Sequence, residues 1–107
     1  MHARRYHWEE PDAVNTTVHI AKLFEMAGGV DLLLHPGDLA YATGYESEWD
    51  RWMAQIEPIS RRVPYMTGMG NHERDFPGSG NSIGNGDSGG ECGVPTEARF
   101  PMPTCAP

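Results

Sequence analysis

Val30-Asp31-Leu32-Leu33-Leu34-His35-Pro36-Gly37-Asp38-Leu39-Ala40-Tyr41 sets an apolar run directly against a tight turn, and the turn against a carboxylate and a phenol. The run from Val30 to His35, bounded by Gly29 before and Pro36-Gly37 after, predicts a short strand buried on both faces. Val63 to Thr67 predicts a second short strand, with Pro64 confined to its start because proline cannot donate to a ladder. That strand runs into Gly68-Met69-Gly70-Asn71-His72-Glu73. Between the two, Trp49, Trp52, Met53 and Ile56 keep helical spacing, with Ser47 as N-cap, Asp50 three residues later and Pro58 as the stop. Strand, helix and strand in this order predict a βαβ unit with parallel strands and a right-handed crossover. Both polar clusters then emerge at one sheet edge, which is where open α/β sheets bind ligands. Upstream, Ile20, Leu23, Phe24 and Ala27 recur at i, i+3, i+4 and i+7, predicting a helix over 15–27 that Gly28-Gly29 closes.

A chain of 107 residues holds one domain or part of one. Nine of its thirteen glycines fall from Gly68 onward, so residues 76–107 are expected to be largely loop, with Phe76 to Gly90 mobile in isolation. The formal net charge of -7, with no basic stripe, excludes a nucleic-acid binder, whose affinity comes from clustered Lys and Arg. The same charge repels phosphate esters, so a phosphoester site here needs local positive charge, for which bound cations are the natural source. Cys92 and Cys105 leave room for one disulfide but form no Cys-x-x-Cys pair. Arg4 and Arg5 precede no apolar run of about 7–15 residues, and nothing approaches the ~20 apolar residues of a membrane span, so no signal peptide or membrane segment is expected. Asn15-Thr16-Thr17 is a glycosylation sequon of a kind common by chance.

Two clusters can carry chemistry. Gly37-Asp38-Leu39-Ala40-Tyr41 offers a carboxylate and a phenol, and Gly70-Asn71-His72-Glu73 offers an amide oxygen, an imidazole and a carboxylate in succession. Taken singly, Gly-Asp at a strand end is commonly a turn device, and Asn71 can hold a turn without binding anything. Trp49 and Trp52 read as core anchors, because they share the apolar face of their helix. Glu73 reads as a brace for its loop. Arg74 and Asp75 are explained equally well by an exposed ion pair.

Together, in this order and at equivalent strand ends, the clusters match a metallophosphoesterase, and the chain resembles the plant and algal purple acid phosphatases. The resemblance runs from about Val14 to Thr104. It is strongest at His35 to Tyr41, Gln55-Ile56-Glu57-Pro58, Gly70 to Asp75 and Asp87-Ser88-Gly89-Gly90-Glu91-Cys92-Gly93-Val94-Pro95. It implies an α/β fold: the βαβ portion of a four-layer α/β/β/α sandwich, followed by a glycine-rich loop region. It also implies that Asp38 bridges two metals, Tyr41 is the phenolate ligand of a ferric ion and Asn71 is an amide-oxygen ligand of a divalent ion (Zn, Mn or Fe). Each is an oxygen donor suited to hard cations. His72 is then the catalytic, substrate-facing residue, against the phosphoryl oxygens or the leaving group. His35 fits the family's His-x-Gly-Asp and is read as supporting a ligand or packing rather than binding metal. The protein serine/threonine phosphatases, with a second acid where Tyr41 stands, are disfavoured.

The resemblance further implies acid hydrolysis of small phosphate monoesters, a homodimer in the full-length parent, and a secreted, cell-wall or vacuolar location. The family's upstream Asp-x-Gly and its downstream Val-x-x-His and Gly-His-x-His are not in their expected places. The chain is therefore expected to be a partial catalytic domain, poorly matched over 1–13 and inactive alone. Pro36 departs from the aliphatic residue usual at that position. The alternative is a non-catalytic truncated or pseudoenzyme module that keeps the scaffold.

Overall fold

The computed structural model describes residues 11–26, 28–74 and 88–101. Helix α1 spans Pro11–Leu23, strand β1 Leu33–His35, helix α2 Glu46–Ser60, strand β2 Tyr65–Thr67 and helix α3 Val94–Arg99. β1 and β2 pair in parallel, Leu33 opposite Tyr65 and His35 opposite Thr67, so β1-α2-β2 is the expected βαβ unit.

α2 covers one face of this two-stranded sheet. Its Trp49, Ile56 and Ile59 are buried, and Trp52 sets its ring 5.9 Å from His35 and 6.3 Å from Tyr65. Trp49 also packs with Leu39 and Ala42 in a small core closed by Ala40, Trp52 and Phe100. The expectation of strands buried on both faces is corrected: Leu34 is 66% and Met66 46% exposed on the face opposite α2. Alternation along a pleat sends Leu33 and His35 to the helix and Leu34 away from it, and no described element covers that second face.

Several boundaries also differ. α1 begins at Pro11 rather than Asn15, because proline needs no backbone donor in a first turn and Asp12 suits the positive end of the helix dipole. It ends at Leu23; Glu25, Met26 and Gly29 then donate to carbonyls three residues back, a tighter winding that carries the chain to the glycines. Of the expected apolar face, Ile20 and Phe24 are half-buried, Leu23 is exposed and Ala27 lies outside the described residues. α1 docks on α2 through polar groups instead: Gln55 Nε2 donates to the Ala13 carbonyl (3.2 Å) and to Thr17 Oγ1 (2.8 Å).

Tyr45, not Ser47, is the N-cap of α2, and Pro58 lies inside the helix instead of stopping it. A proline in the last turn removes only the bond to the residue 54 carbonyl, and the end is closed by Arg61 and Arg62 donating to Glu57 O and Ile59 O. Part of the segment expected to be loop is helix α3, which has proline in its first turn and follows Gly93 at φ 81°. The remainder of the expected mobile stretch before Ser88, together with Asp75 and Cys105, lies outside the described residues.

Candidate metal centre

Parallel pairing brings the loops after β1 and β2 out at the same edge, and Gly68 N–H donating to His35 O (3.0 Å) extends their contact one step beyond the strands. There the loops meet backbone to backbone. A Cβ on Gly37 (φ 133°) would lie 2.7 Å from Gly70 Cα, and one on Gly70 would lie 2.6 Å from Asp38 N. Only residues without a side chain allow this approach.

Glu73 closes the junction. Its side chain is buried, and its Oε2 accepts from Asp38 N (2.7 Å) and Gly70 N (2.8 Å) while Oε1 accepts from Leu39 N (2.6 Å). A carboxylate removed from water is costly unless hydrogen-bonded, and three short bonds from N–H groups supply that compensation. The loop brace expected at Glu73 thus spans both loops.

Asp38 sits at the centre of the donors. Its Oδ2 accepts from Tyr41 OH (3.3 Å) in its own loop, and its Oδ1 accepts from His72 N (3.3 Å) in the other. The Tyr41 and His72 rings lie 4.2 Å apart, tilted by 42°. Half-buried Asn71 lies between Gly70, which abuts Asp38, and His72, which donates to it. Asp38 (φ 55°), Tyr41 (φ 49°) and Thr43 (φ 48°) all adopt left-handed backbone, a strain that persists only where surrounding contacts impose it and that clusters at functional sites. Asp38 and Tyr41 also line an open groove of about 920 Å³ that reaches His35, Trp52 and Thr17.

Asp38, Tyr41, Asn71 and His72 are therefore brought together at one edge. A carboxylate and a phenol within 3.3 Å, with an amide in the abutting loop, form an oxygen set that suits hard cations. Among the described residues no three His, Cys, Asp or Glu side chains stand together as a metal cluster, so the set fits part of a metal centre rather than a closed one.

His35 stays outside this group. Its Nδ1 lies 2.8 Å from Tyr65 OH and its ring packs on Trp52, as expected of a packing residue. Burial lowers its pKa from 6.5, against the opposing pull of the Glu73 and Asp38 carboxylates. Arg74 makes an exposed ion pair with Glu97 (3.1 Å), a partner the sequence did not point to.

Glu91 escaped the sequence reading. Its buried carboxylate accepts from Gly44 N (2.9 Å) and from Trp49 Nε1 (3.1 and 3.2 Å), fastening the segment before α3 to the loop that carries Tyr41 and to α2. Gly93 N donates to Glu73 O (2.8 Å), so the same segment also grips the second loop. The available signal was a single acid within Gly89-Gly90-Glu91-Cys92-Gly93.

Residues 2–103 match the calcineurin-like phosphoesterase family profile. A protein from Arabidopsis thaliana named probable inactive purple acid phosphatase 27 is 48% identical over 101 residues, covering 94% of this chain and 16% of its own length. A nucleotide pyrophosphatase/phosphodiesterase from Hordeum vulgare is 47% identical over 94 residues, covering 88% of this chain and 25% of its own. The solved structure of a purple acid phosphatase from yellow lupin (Lupinus luteus) seeds superposes with a TM-score of 0.74 at 54% identity, over 88% of this chain and 16% of that one. The chain thus spans about a sixth to a quarter of the length of these relatives.

Proposed function

This chain belongs to the calcineurin-like phosphoesterase family and is homologous to plant purple acid phosphatases, and from that premise we propose that it supplies the middle of a binuclear metal site that hydrolyses small phosphate monoesters in acid. The observation that carries this reading is the meeting of Tyr41 OH and His72 N on the two oxygens of Asp38, across loops from two parallel strands. In this reading Asp38, Tyr41 and Asn71 would hold the ions: Asp38 would be shared by a ferric and a divalent ion (Zn, Mn or Fe), Tyr41 would hold the ferric ion through its phenolate, and Asn71 would hold the divalent ion through its amide oxygen. Such a pair of ions, when bound, clamps the phosphate and lowers the pKa of a bound water.

The chain's own residues do the rest. Asp38, whose Oδ1 accepts from His72 N, is oriented from the second loop. His72 turns its ring to the ester, donating a hydrogen bond to a phosphoryl oxygen or to the departing oxygen. Bound cations would offset the repulsion that a net charge of -7 exerts on a phosphate ester. Among the described residues no helix is long and apolar enough to cross a membrane. A secreted, cell-wall or vacuolar location is part of the same family reading.

A second reading, a non-catalytic module that keeps the scaffold, is favoured by one observation: the Arabidopsis thaliana relative at 48% identity is named a probable inactive purple acid phosphatase. A p-nitrophenyl phosphate assay at acidic pH, with metal content measured on the same sample, separates the two. Turnover by the full-length polypeptide that tracks two bound metals and is lost in Asp38→Ala supports the enzyme. Absence of turnover in a folded, metal-loaded polypeptide supports the module. The 107-residue chain alone is expected to give no turnover above a metal-only control.

A further inference from the structure

The carboxylate of Glu73 belongs to the second loop, yet two of its three bonds, from Asp38 N and Leu39 N, come from the first, 35 and 34 positions away. One oxygen, Oε2, takes a donor from each loop, Asp38 N at 2.7 Å and Gly70 N at 2.8 Å. We propose that Glu73 is a positioning residue, whose carboxylate fixes the separation of the Asp38 loop from the Asn71 loop and so the spacing of the oxygen donors. Its consequence for metal binding rests on the binuclear reading above; its grip on the loops does not.

The three N–H groups need a carboxylate at this length. In Glu73→Gln, an amide oxygen in the place of Oε2 leaves the NH₂ facing Leu39 N–H, donor against donor, and the flipped amide loses both bridging bonds. Glu73→Asp keeps the charge but withdraws the carboxylate by one carbon–carbon bond, about 1.5 Å, more than the spread of an N–H···O bond tolerates. A brace confined to the second loop would need only the bond from Gly70 N.

The test is residue-resolved amide exchange on the full-length polypeptide without metal, followed by its calorimetric titration with Mn²⁺. Asp38, Leu39 and Gly70 amides should be protected, and in both variants should lose protection together. The Leu33 and Gly68 amides, which donate to Pro64 O and His35 O in the ladder, should keep theirs. Mn²⁺ affinity should fall by about 10–100-fold in both variants, as for other partners that orient ligands from behind. The proposal is overturned if Asp38 and Leu39 stay protected while Gly70 alone changes, if ladder protection vanishes as well in both variants, or if Mn²⁺ affinity is unmoved while the amides respond. If the unmodified full-length polypeptide takes up no Mn²⁺, the binuclear reading fails, and Glu73 stands or falls on the amides.

Discussion

Gly70→Ala inserts one methyl group where the two loops touch. Its Cβ would fall on Asp38 Oδ1, 2.6 Å from Asp38 N and 2.9 Å from Asp38 Cγ, whereas ordinary contact begins at 3.4 Å. The backbone of Asp38 must retreat by about 0.8 Å, the difference between 3.4 and 2.6 Å, which carries the Asp38 N bond to Glu73 beyond useful length. Gly70 does not occupy left-handed backbone, so alanine gains ~0.4–1 kcal/mol from a less disordered unfolded chain. Overpacking against backbone costs ~1–3 kcal/mol. The net expectation is a loss of about 1–2 kcal/mol, which lowers a urea midpoint by on the order of 1 M. Gly37→Ala should be worse, because its φ of 133° adds strain to the clash with Gly70. Urea titration gives the stability and amide exchange at Asp38 gives the cause. A Gly70→Ala chain with an unchanged midpoint and a protected Asp38 amide would refute the argument that the loops are in backbone contact.

Glu91→Ala should cost about 1–3 kcal/mol by leaving a buried indole N–H without its acceptor, and should flatten the near-ultraviolet circular dichroism of Trp49; an unaltered spectrum would count against this. Burial pushes the Tyr65 phenol up to about 12, so one tyrosine should ionise late in an absorbance titration. Because its folded pKa is raised, Tyr65 contributes stability that is complete below pH 10 and is lost as the pH climbs through about 12. The sign reverses for His35: its folded pKa is lowered, so its contribution is present above pH 6.5 and is lost as the pH falls through the folded value. A denaturation midpoint that rose on acidification through this window would contradict the His35 environment. In the full-length polypeptide, Tyr41→Phe should abolish a visible iron–phenolate band while leaving the fold intact, and persistence of colour would remove Tyr41 from the iron.

The βαβ unit was legible because three signals agreed: the apolar run ending at Pro36-Gly37, the spacing of Trp49, Trp52 and Ile56, and the second run ending at Gly68. Parallel pairing then followed, and with it the meeting of Asp38, Tyr41, Asn71 and His72 at one edge. The edges of elements were less legible, since Pro58 reads as a stop wherever it falls, yet one proline in a last turn costs only one bond. Leu34 and Met66 look like core by composition, and only the pleat shows which way they face. α3, with six residues, is too short for periodicity to register. Glu73 and Glu91 were hardest. Each finds its partners tens of residues away, on backbone N–H groups that have no residue-type signature.

Left-handed backbone at Asp38, Tyr41 and Thr43 has a consequence for how this loop can change over generations. Such a conformation costs most L-residues about 1–2 kcal/mol, and glycine would adopt it more cheaply at all three positions. Folding and chemistry therefore pull against each other at Asp38 and Tyr41, in the manner of other strained sites where stability is gained by discarding function. Thr43 donates nothing to the site and is the position where the strain can be relieved without removing an oxygen. In a lineage released from phosphoester chemistry, the donors are the residues that drift would replace first. The junction of Gly37 and Gly70, where the loop backbones touch, carries no donor and would outlast them.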